Sequence, residues 1–434
     1  MAFNQSTKSA VKPSATMALN AKINDLMAGG HQVYHLGFGE SRFPVHSKIL
    51  AAFIEHASAR SYLPVTGLPA LRVEAAGYYR RKFQIEAEAD RIMIGPGSKG
   101  LLFAAMQALE GDVLLPIPSW VSYDTQAYMA GKNVHWMLTH LADNYCLTPD
   151  GLTAGLQAAR AAGQSPGVLV LNSPNNPTGV IYPESLLTDL AEIARREGLI
   201  ILSDEIYALT AYGDVPHTCL ARLYPEGTLV TGGLSKHLSL GGWRLGVAIL
   251  PSGGFGDQLL KQMTAIAGSV WTTVTAPVQY AAIVAYSDDS EIDAYVEACT
   301  TIHGYVTNHL YRTLAAAGVP CAQPSGGFYV YPDFAPWREA LAKRHNVHTS
   351  ADLANFLLDE EHIASLPGSD FGADPKALTL RLATSYLYAL TDDETDALLT
   401  TYHQNLPPDE FLKAACPRVI EAGERFKALV ESLG

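Results

Sequence analysis

The sequence predicts an α/β protein: a large domain with a mostly parallel seven-stranded sheet, joined to a smaller α/β domain. Three observations carry that prediction. Between about residues 90 and 250, short aliphatic or β-branched runs alternate with helix-length stretches, the pattern of a sheet covered on both faces. A long helical region follows, and beyond it GGFYVYPDF reads as one more strand before further helices. With 434 residues, 48% of them hydrophobic and 17% charged, the chain is long and apolar enough to fill two cores.

In chain order the candidate strands of the large sheet are RIMIG, DVLLP, VHWML, VLVLN, LIILS, TLVTG and LGVAIL. SKGLLFAAMQALEG, SWVSYDTQAYMAG and PESLLTDLAEIARREG read as helices between them. The last has Pro183 in its first turn and Gly198 just past its end. From Gly256 to Ala317 the pattern is helical, with breaks at TAPVQ and SDDS, and PRVIEAGERFKALVESL closes the chain as a helix. The expected division is a flexible N-terminus (1–12), an arm belonging to the small domain (13–47), a large domain (48–295) and a small C-terminal domain (296–434). The segment HQNLPPDEFLKAACPRVIEAG is expected to cap the small domain.

A net charge of −13 excludes an extended nucleic-acid surface, which needs clustered Lys and Arg. Cys146, Cys219, Cys299, Cys321 and Cys416 are odd in number and scattered, which suits small buried hydrophobes in a reducing compartment and not a disulfide or zinc framework. The first twenty residues lack the apolar core of a secretory signal, and no apolar run reaches membrane-spanning length. The expected place is the cytoplasm.

Residues 92 to 104, IMIGPGSKGLLFA, contain a G-x-G-x-x-G at Gly95, Gly97 and Gly100, between a strand and a helix. Such a turn aims unpaired N–H groups at an anion. Alone it fits a dinucleotide, another phosphate or a plain turn. The acid that a dinucleotide site needs about 20 residues on falls in LLPIPSWVSYDTQ, where the match is poor. In TLVTGGLSKHLSLGGWRLGV, Lys236 follows a buried strand among glycines and apolar residues, where an ammonium is costly and a neutral amine can attack a carbonyl. Arg244, eight residues on, suits a phosphate dianion. VLVLNSPNNPTG sets Asn176 at a strand's carboxyl end, where open α/β sheets bind ligands, although Asn, Pro and Gly also make simple turns. LIILSDEIY does the same for Asp204, which could equally cap a helix, and puts the Tyr207 phenol three residues later. Together these groups are what pyridoxal phosphate requires: a lysine to form an imine, an acid to keep the pyridine nitrogen protonated, hydrogen-bonding Asn and Tyr, and a phosphate site.

On SPNNPTG, SDEIY, SK-x7-R and the final RLA, the chain resembles the fold-type I pyridoxal-phosphate enzymes over about residues 13 to 400, and most closely the class I/II aminotransferases, aspartate aminotransferase among them. The resemblance implies that Lys236 is the Schiff-base lysine and proton shuttle, that Asp204 pairs with the pyridinium nitrogen, and that Tyr207 and Asn176 hold the ring oxygen. It implies that Trp120 stacks on the ring, where core packing is the plain alternative. Gly97, Ser98 and Lys99, with Ser235 and Arg244, fall on the family's phosphate cup. Tyr62 matches a tyrosine that reaches the phosphate of the neighbouring subunit, so a homodimer is implied.

For substrate, the resemblance sets Arg381 and Gly39 on the α-carboxylate of an amino acid. The apolar neighbours of Arg381 in LTLRLATSY also point to burial and so to a partner. Lys99 is similar to a lysine that holds a distal carboxylate in one branch of aspartate aminotransferases, and Asn176 also faces the substrate. A dicarboxylic amino acid and a 2-oxo acid, exchanging the amino group by a ping-pong route, are therefore expected. GSVWTTVTAPVQYAA departs from the family's polar stretch, so Trp271 is expected to shape the pocket. Gly233 stands where many members have serine, and Glu40-Ser41 where Glu-Pro is common. Elimination, replacement or cyclisation on the same cofactor is the alternative chemistry. A ligand-sensing module of a transcription regulator would need a basic helix-turn-helix segment before residue 13, which is not found.

Overall fold

The structure, a computed structural model, describes residues 15–434. The expected flexible segment 1–12 and the first two residues of the arm lie outside it. Twelve strands follow in chain order among the described residues: β1 (Tyr34–His35), β2 (Ile92–Gly95), β3 (Asp112–Ile117), β4 (Val134–Leu138), β5 (Pro166–Asn172), β6 (Ile200–Asp204), β7 (Thr228–Gly233), β8 (Gly246–Ile249), β9 (Tyr329–Val330), β10 (Ile363–Ala364), β11 (Leu366–Pro367) and β12 (Leu380–Ala383).

Strands β2 to β8 are the seven runs read from the sequence. They form one sheet in the order β2-β8-β7-β6-β5-β3-β4, with β8 antiparallel to both neighbours and the rest parallel. Their apolar residues serve both faces in alternation. Met93, Val113, Leu115, Val168, Val170, Leu202, Leu229 and Ala248 join a core cluster on one side. Their sequence neighbours Ile94, Leu114, Leu169, Leu171, Ile201, Val230 and Val247 enter clusters on the other. Burial on both faces is why these strands read as continuous aliphatic runs. Register sets the ends of β5 and β6 level and beside Thr231 of β7: Asn172 pairs with Asp204, and Asp204 with Thr231.

A separate cluster draws Tyr34, Leu36 and Phe43 from the arm together with residues from Cys299 to Leu433. Beside it lie two small sheets, β11-β12-β9 and the parallel pair β1-β10. The closing helix, Pro417–Leu433, buries Val419, Phe426 and Val430 in this cluster, and its Glu421 accepts a hydrogen bond of 3.0 Å from the Tyr34 hydroxyl.

Three boundaries differ from the sequence expectation. The helix expected over SWVSYDTQAYMAG is only Tyr123–Met129, because Trp120 to Ser122 turn aside to line a cleft. Pro183 is the N-cap and not the first turn of Glu184–Glu197, while Gly198 ends that helix in the left-handed region at φ 71°. GGFYVYPDF supplies only the two-residue β9. All five cysteines are unbridged, four of them buried. Among the described residues no helix is long and apolar enough to cross a membrane.

The helix Ser290–Ala316 runs through the second core, with Leu310 fully enclosed. Leu310→Ala should cost about 2–5 kcal/mol by cavity formation. A guanidinium denaturation midpoint unchanged from wild type would contradict that packing.

Candidate functional site

At the carboxyl ends of β5, β6 and β7 a cleft of about 500 Å³ opens between the large sheet and the arm. Its lining includes Gly39, Ser98, Lys99, Trp120, Asn176, Asp204, Tyr207, Ser235, Lys236, Arg244 and Arg381, so most residues singled out in the sequence meet there. Gly97 is not in the lining, although its neighbours Ser98 and Arg244 are. Tyr62 does not enter it and is 86% exposed. Trp271 does not line it either and packs against the Met93 and Leu101 cluster. Gly233 also lies outside the lining: a Cβ there would press on the Leu245 carbonyl and the Gly246 backbone, because β7 and β8 pair the two glycines. A serine does not fit this backbone.

Asp204 ends β6 fully enclosed. The Tyr123 hydroxyl donates to its Oδ2 at 2.8 Å, and the Ile206 amide and Thr231 hydroxyl donate to Oδ1, each at 3.3 Å. Burial pushes its pKa up to about 6, opposed by those donors and by Lys236. The carboxylate is thus ionised at neutral pH and poised for a cationic partner. Asn172 supports the strand end: its Nδ2 donates to the Asp204 carbonyl at 2.7 Å, and its Oδ1 accepts from the Asn176 amide at 2.8 Å.

Lys236 stands at the cleft floor, its Nζ donating to the Gly39 carbonyl at 2.7 Å, with the Tyr207 ring 5.4 Å and the Phe328 ring 5.7 Å away. Burial lowers its pKa to about 8, against the pull of Glu40 and Asp204. A substantial fraction of the amine is neutral near physiological pH. The Tyr207 and Tyr329 hydroxyls share a hydrogen bond of 2.6 Å.

Arg381, on β12, is buried and donates from Nη2 to the Gly37 carbonyl at 2.6 Å. Its guanidinium sits 5.2 Å from the centroids of Tyr329 and Phe371. Its Nε has no hydrogen-bond partner among the described residues, and the same holds for Asn176 Oδ1. Buried polar atoms left open beside a cleft are a binding surface for a polar ligand.

The phosphate candidate lies at the start of the helix Gly97–Ala108, an end that no side chain caps. Gly97 has φ 77°, and a Cβ on it would collide with the Arg244 guanidinium; a Cβ on Gly246 would collide with the Gly97–Ser98 backbone. The result is a close cradle of amides, hydroxyls and a guanidinium that fits an anion. Lys99 Nζ lies 4.7 Å over the Trp120 ring on the cleft wall. An acid for a pyridinium, an amine, a flat aromatic wall and an anion cradle around one cleft fit pyridoxal phosphate.

Sequence reasoning missed Tyr123, Asn172, Tyr329 and Glu40. Asn172 was within reach, since it ends an aliphatic strand as Asp204 does. Tyr123 and Tyr329 carry no local signal, because aromatics beside strands are ordinary core residues.

The family model for "Aminotransferase class I and II" matches residues 31–400. An aspartate aminotransferase of Geobacillus stearothermophilus is 35% identical over 382 residues, covering 86% of this chain and 92% of that protein. An aspartate/prephenate aminotransferase of Thermus thermophilus is 31% identical, covering 84% of this chain and 90% of the relative. Among solved structures, the Thermus thermophilus aspartate aminotransferase with maleate superposes with a TM-score of 0.79 at 28% identity, covering 94% of this chain and all of that one. An aromatic aminotransferase from Pyrococcus horikoshii gives 0.77 at 25% identity, with 94% and 99% covered.

Tyr123→Phe removes the donor on Asp204 Oδ2 and should raise the Asp204 pKa by about one unit from its already elevated value. Carbon-13 titration of the cofactor-free protein reads it directly. An unchanged or lowered value would contradict the bond.

Proposed function

The chain belongs to the class I and II aminotransferase family, and on that premise we propose that this pyridoxal-phosphate-dependent aminotransferase moves the amino group of aspartate or glutamate to a 2-oxo acid, with Lys236 as imine-forming lysine and proton carrier. The observation that carries the proposal is the half-buried, poorly solvated Lys236 amine, which shares with Asp204 a cleft that also holds an anion cradle and a buried arginine with an open Nε.

When bound, the cofactor supplies an electron sink for the pair left on the substrate's α-carbon. Asp204, backed by Tyr123 and Asn172, holds the ring nitrogen's proton; its burial makes that ion pair stronger than it would be in water. Tyr207 and Asn176 hold the ring oxygen, and Trp120 covers the ring face. Gly97, Ser98, Lys99, Ser235 and Arg244 hold the phosphate. Arg381, with the backbone at Gly39, orients the α-carboxylate and so aims the α-hydrogen at Lys236 Nζ. With the cofactor in place, Lys236 would take that proton as a neutral amine and, once protonated, would serve as the acid of the same site, the lowered proton affinity matching it to both roles. Lys99 lends the phosphate cradle its backbone amide only, while its side chain, over Trp120 on the cleft wall, meets the distal carboxylate. The first oxo acid leaves before the second enters, which is ping-pong kinetics.

We assign the cofactor site to a large domain, residues 48–295, and the closing surface to the arm with residues 296–434. A homodimer is part of the same proposal: Tyr62 at 86%, Ile54 at 64% and Val73 at 55% exposure are large side chains open to solvent, as a partner surface requires.

L-Aspartate given to the cofactor-loaded protein without any oxo acid should release one equivalent of its oxo acid per chain and then stop. Lys99→Met should weaken aspartate binding roughly tenfold, about 1.4 kcal/mol, and leave alanine binding unchanged. Consumption of aspartate without oxo-acid release would contradict transamination, and equal losses for both amino acids would contradict the role of Lys99.

A further inference from the structure

Three residues beyond Lys236, Ser239 holds a left-handed backbone at φ 57°. Outside glycine that conformation costs energy and persists where surrounding contacts fix it. The contacts come from the arm. Ser239 Oγ accepts a hydrogen bond from the Phe43 amide at 3.2 Å and is bonded to Ser41 Oγ at 2.6 Å. Ser41 Oγ is bonded in turn to His303 Nε2 at 3.2 Å. His303, on the helix Ser290–Ala316, is 1% exposed and packs among Phe43, Phe328 and Tyr388. Burial first, and the charge of Lys236 second, hold its pKa near 3, so the chain of bonds is uncharged at working pH.

Two residues before Ser41, the Gly39 carbonyl accepts the hydrogen bond from Lys236 Nζ. One short stretch of the arm therefore touches the amine directly and grips the loop that carries it. On the premise that Lys236 is the imine-forming lysine, we propose that Ser41, Ser239 and His303 form a positioning bridge that keeps the Gly39 carbonyl on Lys236 Nζ and thereby sets the proton affinity of that amine. None of the three need touch substrate or cofactor.

The charged groups acting on Nζ are Glu40 from the arm, Asp204 from β6, Arg381 from β12 and Arg244 from beyond the Lys236 loop. Glu40 and Asp204 favour the ammonium, while the two arginines and burial oppose it. Ser41→Ala alters none of these charges. Its effect isolates the carbonyl, which favours the charged amine, so loss of the bridge lowers the proton affinity of Lys236.

The test is the rate at which the cofactor-free full-length chain captures pyridoxal phosphate, followed as a visible band between pH 6 and 10, with Lys236→Ala as control. The midpoint of this profile should fall by about one pH unit in Ser41→Ala, roughly a tenfold change in proton affinity. Ser239→Ala should match it, the double variant should shift no further, and Ser41→Thr, which keeps the hydroxyl, should retain the wild-type midpoint. A wild-type midpoint in Ser41→Ala, additive shifts in the double variant, or a shifted Ser41→Thr would each overturn the bridge. A band that persists in Lys236→Ala would instead remove the premise.

Discussion

The structure turns on desolvating one half-buried amine. Lys236 is held where solvent no longer stabilises its charge fully, and burial is the largest influence on it. An uncompensated ammonium there would be strongly destabilising. The fold answers with the Gly39 carbonyl at 2.7 Å and with the carboxylates of Glu40 and Asp204. The compensation is partial, and that leaves a lysine whose pKa, about 8, lies near neutrality and not near its usual 10.5. Asp204 has the mirror problem, with burial carrying its pKa up to about 6. Amine and acid are thereby drawn toward each other in proton affinity, as acid–base work at neutral pH needs.

Sheet register supplies the placement. Because β5, β6 and β7 are parallel and in register, Asn172, Asp204 and Thr231 arrive side by side near the carboxyl ends, and the segments that follow surround the cleft. The antiparallel β8 brings Gly246 against Gly233 and against the start of the helix Gly97–Ala108. Only glycines permit that approach, and it brings Arg244 to the helix N-terminus. The arm then crosses from the other core. Its carbonyls at Gly37 and Gly39 accept from Arg381 and Lys236, so the two cations proposed to handle substrate are tied to one strip of backbone.

Much of this was legible in the sequence. All seven strands of the large sheet could be read because both their faces are buried, which leaves unbroken aliphatic runs. Asp204, Asn176, Lys236 and Arg381 stood out as polar residues at the ends of, or inside, such runs. Tyr123 and Tyr329 did not, since their hydroxyls find partners far along the chain. The same distance hid the bridge: Ser41 meets Ser239 and His303 across 198 and 262 residues, and no local pattern encodes such a meeting. Gly233 looked like a lost contact and is a packing requirement.

The cleft contains two lysines, Lys99 and Lys236, and the account depends on which of them bonds to the cofactor. Reducing the cofactor-loaded protein with borohydride and mapping the modified peptide by mass spectrometry distinguishes them. The expected result is a single phosphopyridoxyl group on Lys236 and none on Lys99. A label on Lys99, or none on either, would contradict the assignment of Lys236 on which the proposed chemistry rests.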